Sequence, residues 1–247
     1  MRQPIYTSIL KNKKQGKKLF AVLIDPDKFE STDIISLCES EKVDFIMVGG
    51  SIITNGSFEH CIQSIKKQTK IPIIIFPGNN LQINKSADAI LLLSLISGRN
   101  ADMLIGNHVL AAPKLKSSNL EILPTGYMII ESGKQTTALY MSNTNPIPYD
   151  KDDIAMATAM AGEMLGQKLI YLDAGSGALN CVSETMIHKV SVNIKLPLIV
   201  GGGINSPEKA VIACKAGADM IVVGNAIEKE KKLIKSISKA IHTFKTQ

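Results

Sequence analysis

The chain has 247 residues, of which 45% are hydrophobic, 20% charged and 4% aromatic, with no tryptophan and a formal net charge of +6. That length can bury one large core, as one α/β barrel or as two small domains, and the scarcity of aromatics argues against stacking on nucleic-acid bases. No apolar run reaches the roughly 18 residues that span a bilayer, and the N-terminal MRQPIYTSILKNKKQGKK lacks the apolar stretch of a signal peptide, so the protein reads as cytoplasmic.

Eight short apolar runs rich in β-branched residues follow one another: LFAVLID (19–25), DFIMVGG (44–50), IPIIIFP (71–77), AILLLSL (89–95), LEILPTGYMII (120–130), LIYLDAG (169–175), LPLIVGGG (196–203) and MIVVGN (220–225). Most lack strict alternation, as strands covered on both faces do. Amphipathic stretches separate them, for example SFEHCIQSIKKQT (57–69), DKDDIAMATAMAGEMLG (150–166) and SPEKAVIACKAGA (206–218). The repeated alternation predicts a single α/β domain over 1–247, a (β/α)8 barrel of the TIM type. Between Pro77 and Ala89 the segment GNNLQINKSAD is too short and polar for a crossover helix, so the third helix is expected to be missing or replaced by an extended piece. ESGKQTTALYMSNTNPIPYD (131–150) is long and polar, and is expected to cover a site.

The lysine runs KNKKQGKK (11–18) and KEKKLIKSISK (229–239) suit solvated helix faces, or attraction to phosphorylated substrates or an anionic membrane. Cys38, Cys61, Cys181 and Cys214 show no paired spacing and read as free, mostly buried thiols. His60, His108, His188 and His242 fall in helix-like or peripheral stretches, and none ends a strand.

Barrel enzymes assemble their sites from the C-terminal ends of the strands. Here those ends are Asp25-Pro26-Asp27-Lys28, Gly49-Gly50-Ser51, Phe76-Pro77-Gly78-Asn79, Asp173-Ala174-Gly175-Ser176-Gly177, Gly201-Gly202-Gly203-Ile204-Asn205 and Gly224-Asn225. Glycine pairs also serve tight βα turns. GGGINS followed by VVGNAI nevertheless matches a recurrent phosphate-binding arrangement, in which a side chain at Gly202 or Gly203 would block backbone N–H groups from the anion. Asp25 at a strand end suits a hard cation such as Mg²⁺, with the Ser51 hydroxyl beside it. The alternative is a DPDK turn, with Asp27 as a cap. Asp173, on the far rim, suits acceptance of a proton from a hydroxyl.

In these motifs the chain resembles the geranylgeranylglyceryl phosphate synthase family, whose bacterial relatives include heptaprenylglyceryl phosphate synthases. LIDPDK (23–28), VGGSIITN (48–55), FPGN (76–79), YLDAGSGA (171–178), VGGGI (200–204) and VVGNAIE (222–228) carry the resemblance, in order and across nearly the whole chain. It implies a modified barrel with the third helix replaced. It also implies transfer of a prenyl group from a prenyl diphosphate to the C3 hydroxyl of sn-glycerol 1-phosphate, with Mg²⁺ and release of diphosphate. Carried over, Asp25 and Ser51 hold the metal. Tyr171, Leu172, Asp173, Ala174, Gly175, Ser176, Gly177, Gly202, Gly203, Gly224 and Asn225 bind the glycerol phosphate, with Tyr171 and Asp173 catalytic.

The resemblance runs closer to the geranylgeranyl-using branch, implies a homo-oligomer, and makes a peripheral membrane contact for product release an expectation. Leu91–Ile96, Tyr127–Ile130 and the 131–150 segment are expected to line the prenyl groove. One departure stands out: the family usually carries glutamate where this chain has Asp173, one methylene shorter. The competing readings are a flavin-dependent oxidoreductase or phosphosugar barrel with the same phosphate grip, and a barrel that binds a phosphorylated ligand without turnover.

Overall fold

The computed structural model describes residues 3–244. Every apolar run named above contains a strand: β1 Leu19–Ile24, β2 Phe45–Val48, β3 Ile73–Ile75, β4 Ala89–Leu95, β5 Glu121–Ile129, β6 Leu169–Asp173, β7 Leu198–Gly201 and β8 Met220–Val223. All neighbours are parallel, and β8 pairs with β1, so the sheet closes in chain order. Alternate strand residues point inward, where Ala21, Met47, Ile74, Leu91, Leu123, Tyr127, Tyr171, Ile199 and Val222 fill the barrel. Their neighbours, such as Val22, Ile46, Ile75, Leu172 and Ile221, pack outward against the helices. Burial on both faces explains why these runs are apolar without interruption.

Helix α1 (Pro4–Lys14) precedes the barrel and closes its N-terminal end, where the backbone N–H groups of Ile5 and Tyr6 donate to the Glu121 carboxylate at 2.8 Å each. The outer ring comprises α2 (Asp33–Ser40), α3 (Phe58–Gln68), α4 (Asn107–Ser118), a short α5 (Thr137–Ser142), α6 (Asp152–Met164), α7 (Glu184–Asn193), α8 (Pro207–Ala216), α9 (Asn225–Lys229) and α10 (Leu233–His242). Local sequence fixes their starts. Ser57, Ser183 and Ser206 each accept a backbone N–H three residues on, a cap that contributes about 1 kcal/mol. In α8 the order Ser206-Pro207 at the start and Gly217 at the end, with φ +118°, supplies both boundaries.

No helix joins β3 to β4; residues 76–88 run as turns. The buried Gln82 stands in for it, accepting from Gly78 N–H at 3.0 Å and donating to the Gly50 carbonyl at 2.9 Å, which ties this segment to the end of β2. The 131–150 segment is more ordered than its composition suggests. It holds α5, capped by Thr136, and a bridge from Ile147 to Ile130. The four cysteines are free, and burial pushes Cys38, Cys61 and Cys214 up to about 12. No helix among the described residues is long and apolar enough to cross a membrane.

Candidate active site

A cavity of about 620 Å³ opens at the C-terminal end of the barrel. Asp25, Ser51, Tyr171, Asp173, Gly175, Ser176, Gly177, Gly202, Gly203, Gly224 and Asn225 all line it. Leu172 and Ala174 do not. Strand alternation turns their side chains into the layer between strands and helices, where each is fully buried. Within the contiguous YLDAGSGA motif these two side chains pack against the helix layer, and the Ala174 N–H donates to the Gly201 carbonyl at 3.1 Å.

Asp173 is buried at the last inward position of β6, paired in register with Ile129 on one side and Gly201 on the other. One oxygen accepts from the Tyr127 hydroxyl at 2.5 Å and the other from Gly175 N–H at 2.7 Å. Burial pushes its carboxyl above the ordinary range, while these two donors pull the other way. Burial and the neighbouring Asp173 charge hold Tyr127 and Tyr171 well above the usual phenol value, so both keep their protons. Beneath the carboxylate, Phe76 stacks on Tyr171 at 5.4 Å, and Tyr127 meets both rings edge-on. Gly201 makes room for this floor, since a Cβ there would lie 2.5 Å from the Tyr171 hydroxyl.

The glycine rim follows from close backbone approach. Gly202 has φ +82°, and a Cβ on it would lie 2.5 Å from Gly175 N. The amide orientation of Asn225 that satisfies its surroundings has Oδ1 accepting from Gly177 N–H at 3.2 Å and Nδ2 donating to Glu228 Oε2 at 3.0 Å. The turns after β6, β7 and β8 thus form one concave edge lined by glycine backbone.

At the end of β1, next to β8 around the rim, Asp25 is half-buried, and Gly50 leaves space beside its carboxylate; a Cβ at Gly50 would lie 3.4 Å from Asp25 Oδ1. Lys28 Nζ stands 3.4 Å from Asp25 Oδ2 and 2.8 Å from Glu228 Oε2, bridging the β1 and β8 edges. The turn differs from the predicted one. Asp25, not Asp27, is the cap, accepting from Asp27 N–H at 3.1 Å. Asp27 instead accepts from the backbone N–H groups of Thr54, Asn55 and Gly56, which fixes the loop after β2 and holds its carboxyl near 2.

Among the described residues no three His, Cys, Asp or Glu side chains cluster as a metal cage. The donors at Asp25 and Ser51 are hard oxygens, few in number. That set fits Mg²⁺, which retains waters and takes the remaining ligands from a substrate's phosphates.

Between the two edges the wall is apolar. Leu91, Leu92, Leu93, Leu95, Met103, Ala111, Leu115, Ala138 and Met141 line it, and Thr137 and Ser142 join them from the 131–150 segment. Ile96 lies outside the lining. His108 also belongs to this wall, with Nε2 3.1 Å from Ser94 Oγ, and burial lowers its pKa. The sequence offered no strand-end position to flag it. Lys28, Lys229 and Tyr127 are further polar side chains of the cavity that stand outside the predicted acceptor and metal sets.

A closed parallel barrel with glycine-rich turns at the ends of β7 and β8 defines the class: a barrel of the TIM type, in which turns at those two strand ends recur as phosphate-binding sites. Residues 9–242 match the model of the PcrB family, and the chain belongs to that family. It is 54% identical over 245 residues to geranylgeranylglyceryl phosphate synthase of Chitinophaga pinensis, covering 98% of this chain and 97% of the relative. It is 44% identical over 220 residues to the synthase of the same name from Pyrococcus furiosus, covering 87% of each. The crystal structure of (S)-3-O-geranylgeranylglyceryl phosphate synthase from Thermoplasma acidophilum, in complex with substrate sn-glycerol-1-phosphate, matches with a TM-score of 0.90 at 32% identity, covering 99% of this chain and 100% of that one.

Proposed function

We propose that this chain is a prenyltransferase that joins geranylgeranyl diphosphate to the C3 hydroxyl of sn-glycerol 1-phosphate, forming an ether and releasing diphosphate. The observation that carries the reading is the division of one cavity into a glycine edge, an acid and lysine edge, and an apolar wall between them. The glycine edge suits the acceptor's phosphate. Asp25 and Ser51 suit a Mg²⁺-bound diphosphate, and the leucine-rich wall suits the prenyl chain.

The chemistry follows from these positions. The bond between the allylic carbon and the diphosphate oxygen breaks, the hydroxyl oxygen attacks that carbon, and the hydroxyl proton passes to the Asp173 carboxylate. Its raised pKa makes Asp173 a better proton acceptor than a solvated aspartate. Tyr127, locked as a donor, orients the carboxylate and stabilises its charge before attack. Asp25 and Ser51 would hold Mg²⁺, which would supply positive charge to offset that developing on the leaving diphosphate. Lys28 adds a second positive charge at the same edge.

The outer face of the wall helix exposes Val109 and Leu110, with Ile105 just before it, which supports peripheral contact with a lipid surface when the product leaves. Exposed Met164 and Leu165 at the end of α6 support self-association into a homo-oligomer.

The test is incubation with Mg²⁺, labelled glycerol 1-phosphate and a ladder of prenyl diphosphates, followed by identification of the lipid. The expected product carries a twenty-carbon ether. No product from any donor contradicts the reading, and equal use of glycerol 3-phosphate contradicts its stereochemistry.

A further inference from the structure

The 131–150 segment is fastened to the turn after β6 at two points. The Ser132 carbonyl accepts from Leu179 and Asn180 N–H at 3.2 and 3.1 Å. Thr136 packs against Gly175, where a Cβ would lie 2.7 Å from its methyl carbon. Lys134 stands between these anchors, after Gly133 turns the chain at φ +83°. Its side chain reaches the Gly177 turn: a methyl group at Gly177 would lie 3.2 Å from Lys134 Nζ and 3.2 Å from the Asn225 amide. Ammonium and amide thus approach the same glycine from different loops.

Lys134 has no ion pair among the described residues. The acid next to Asn225, Glu228, is already engaged by Lys28 at 2.8 Å. The exposed ammonium at the Gly177 turn is therefore available to an anion bound at this edge. A phosphate is such an anion, and lysine binds phosphate as a compact point charge.

We propose that Lys134 is a phosphate-binding residue of the acceptor site, contributed by the covering segment, and that the acceptor's phosphate latches residues 131–150 through it. The inference rests on the reading of the β6–β8 edge as the glycerol phosphate site. It adds a side-chain charge to a backbone cradle and couples cover closure to acceptor binding. Lys134 lies outside the strand-end motifs.

The test compares wild type, Lys134→Ala and Lys134→Arg by steady-state kinetics and by hydrogen exchange of 131–150, using sn-glycerol 1-phosphate, glycerol and inorganic phosphate as probes. Lys134 is exposed, so both variants are expected to fold, and thermal unfolding checks this. The Ala variant is expected to raise KM for glycerol 1-phosphate about 10- to 100-fold, the range of one charge-assisted hydrogen bond. Its kcat at saturation stays near wild type, its KM depends less steeply on salt, and Arg restores most of the affinity.

In wild type, sn-glycerol 1-phosphate slows exchange in 131–150, inorganic phosphate does so at higher concentration, and glycerol does not. The Ala variant loses this protection. Wild-type KM and protection in the Ala variant, or no phosphate-dependent protection in wild type, overturns the proposal. Protection that depends on Lys134 in a protein forming no prenyl ether keeps the latch and removes the synthase reading. Ether formation with a normal Ala variant does the reverse.

Discussion

The Tyr127 hydroxyl, from the fifth strand, donates a 2.5 Å hydrogen bond to the Asp173 carboxylate at the end of the sixth. The two residues are buried at adjacent inward layers, Tyr127 beside Tyr171 and Asp173 beside Ile129. The shorter acid therefore does not hang free at the rim. A donor from the next strand holds it, and a backbone N–H pins its second oxygen.

This pairing sets the pH dependence. Burial raises the Asp173 carboxyl and the Tyr127 donor lowers it, so removing the donor raises it further. In Tyr127→Phe the acid limb of kcat/KM is expected to move to higher pH, because a larger fraction of Asp173 is protonated at a given pH. The variant also leaves a buried carboxylate oxygen short of a partner, at a cost of about 1–3 kcal/mol. A pH–rate profile and an unfolding curve check both.

Asp25 and the glycine edge are expected to separate by ligand. Asp25→Asn, or EDTA treatment of wild type, should suppress turnover severely while weakening glycerol 1-phosphate binding far less, since Asp25 ends β1 and is not part of the glycine turns after β6, β7 and β8. Calorimetric titration of glycerol 1-phosphate, with and without Mg²⁺, measures this.

Gly202→Ala should damage both fold and site. Its φ of +82° and the 2.5 Å approach of a Cβ to Gly175 N leave no room for a side chain. The expected cost is about 1–3 kcal/mol of stability from the backbone conformation alone, with loss of glycerol phosphate affinity. Denaturant unfolding and ligand titration of the variant read the two effects.

Leu172→Ala supplies the contrast. Leu172 sits in the same motif as Asp173 but faces the helix layer. The variant should lose about 2–5 kcal/mol of stability with KM for both substrates unchanged in the folded enzyme. Kinetics at low temperature beside a denaturation curve distinguish this from a binding role.

The strands were legible because most of them are buried on both faces and largely apolar, as in Phe45–Val48 and Ile73–Ile75. Asp25, Ser51, Gly202 and Asn225 were legible because a barrel presents its strand ends together, and those ends lose their apolar character abruptly. At Leu172 and Ala174 a motif read as a block crosses the period-two alternation of a strand, so their side chains face the helix layer and not the cavity. Asp27 looked like a local cap, yet its partners Thr54, Asn55 and Gly56 are on the next loop. Tyr127 was expected only in the groove lining; its bond to Asp173 was hidden because pairing across elements leaves no spacing signal. The short helix Thr137–Ser142 lay inside a segment too polar to show a helical period.

The central claim, that a carboxylate at position 173 accepts the hydroxyl proton in a prenyl transfer, is tested most directly by the rate of ether formation from saturating glycerol 1-phosphate and geranylgeranyl diphosphate. Wild type, Asp173→Asn and Asp173→Glu are compared after each is shown to be folded. The account predicts that Asn lowers the rate by at least about 100-fold, the lower range of general-base assistance, and that Glu retains activity. An Asn variant turning over at the wild-type rate would contradict it.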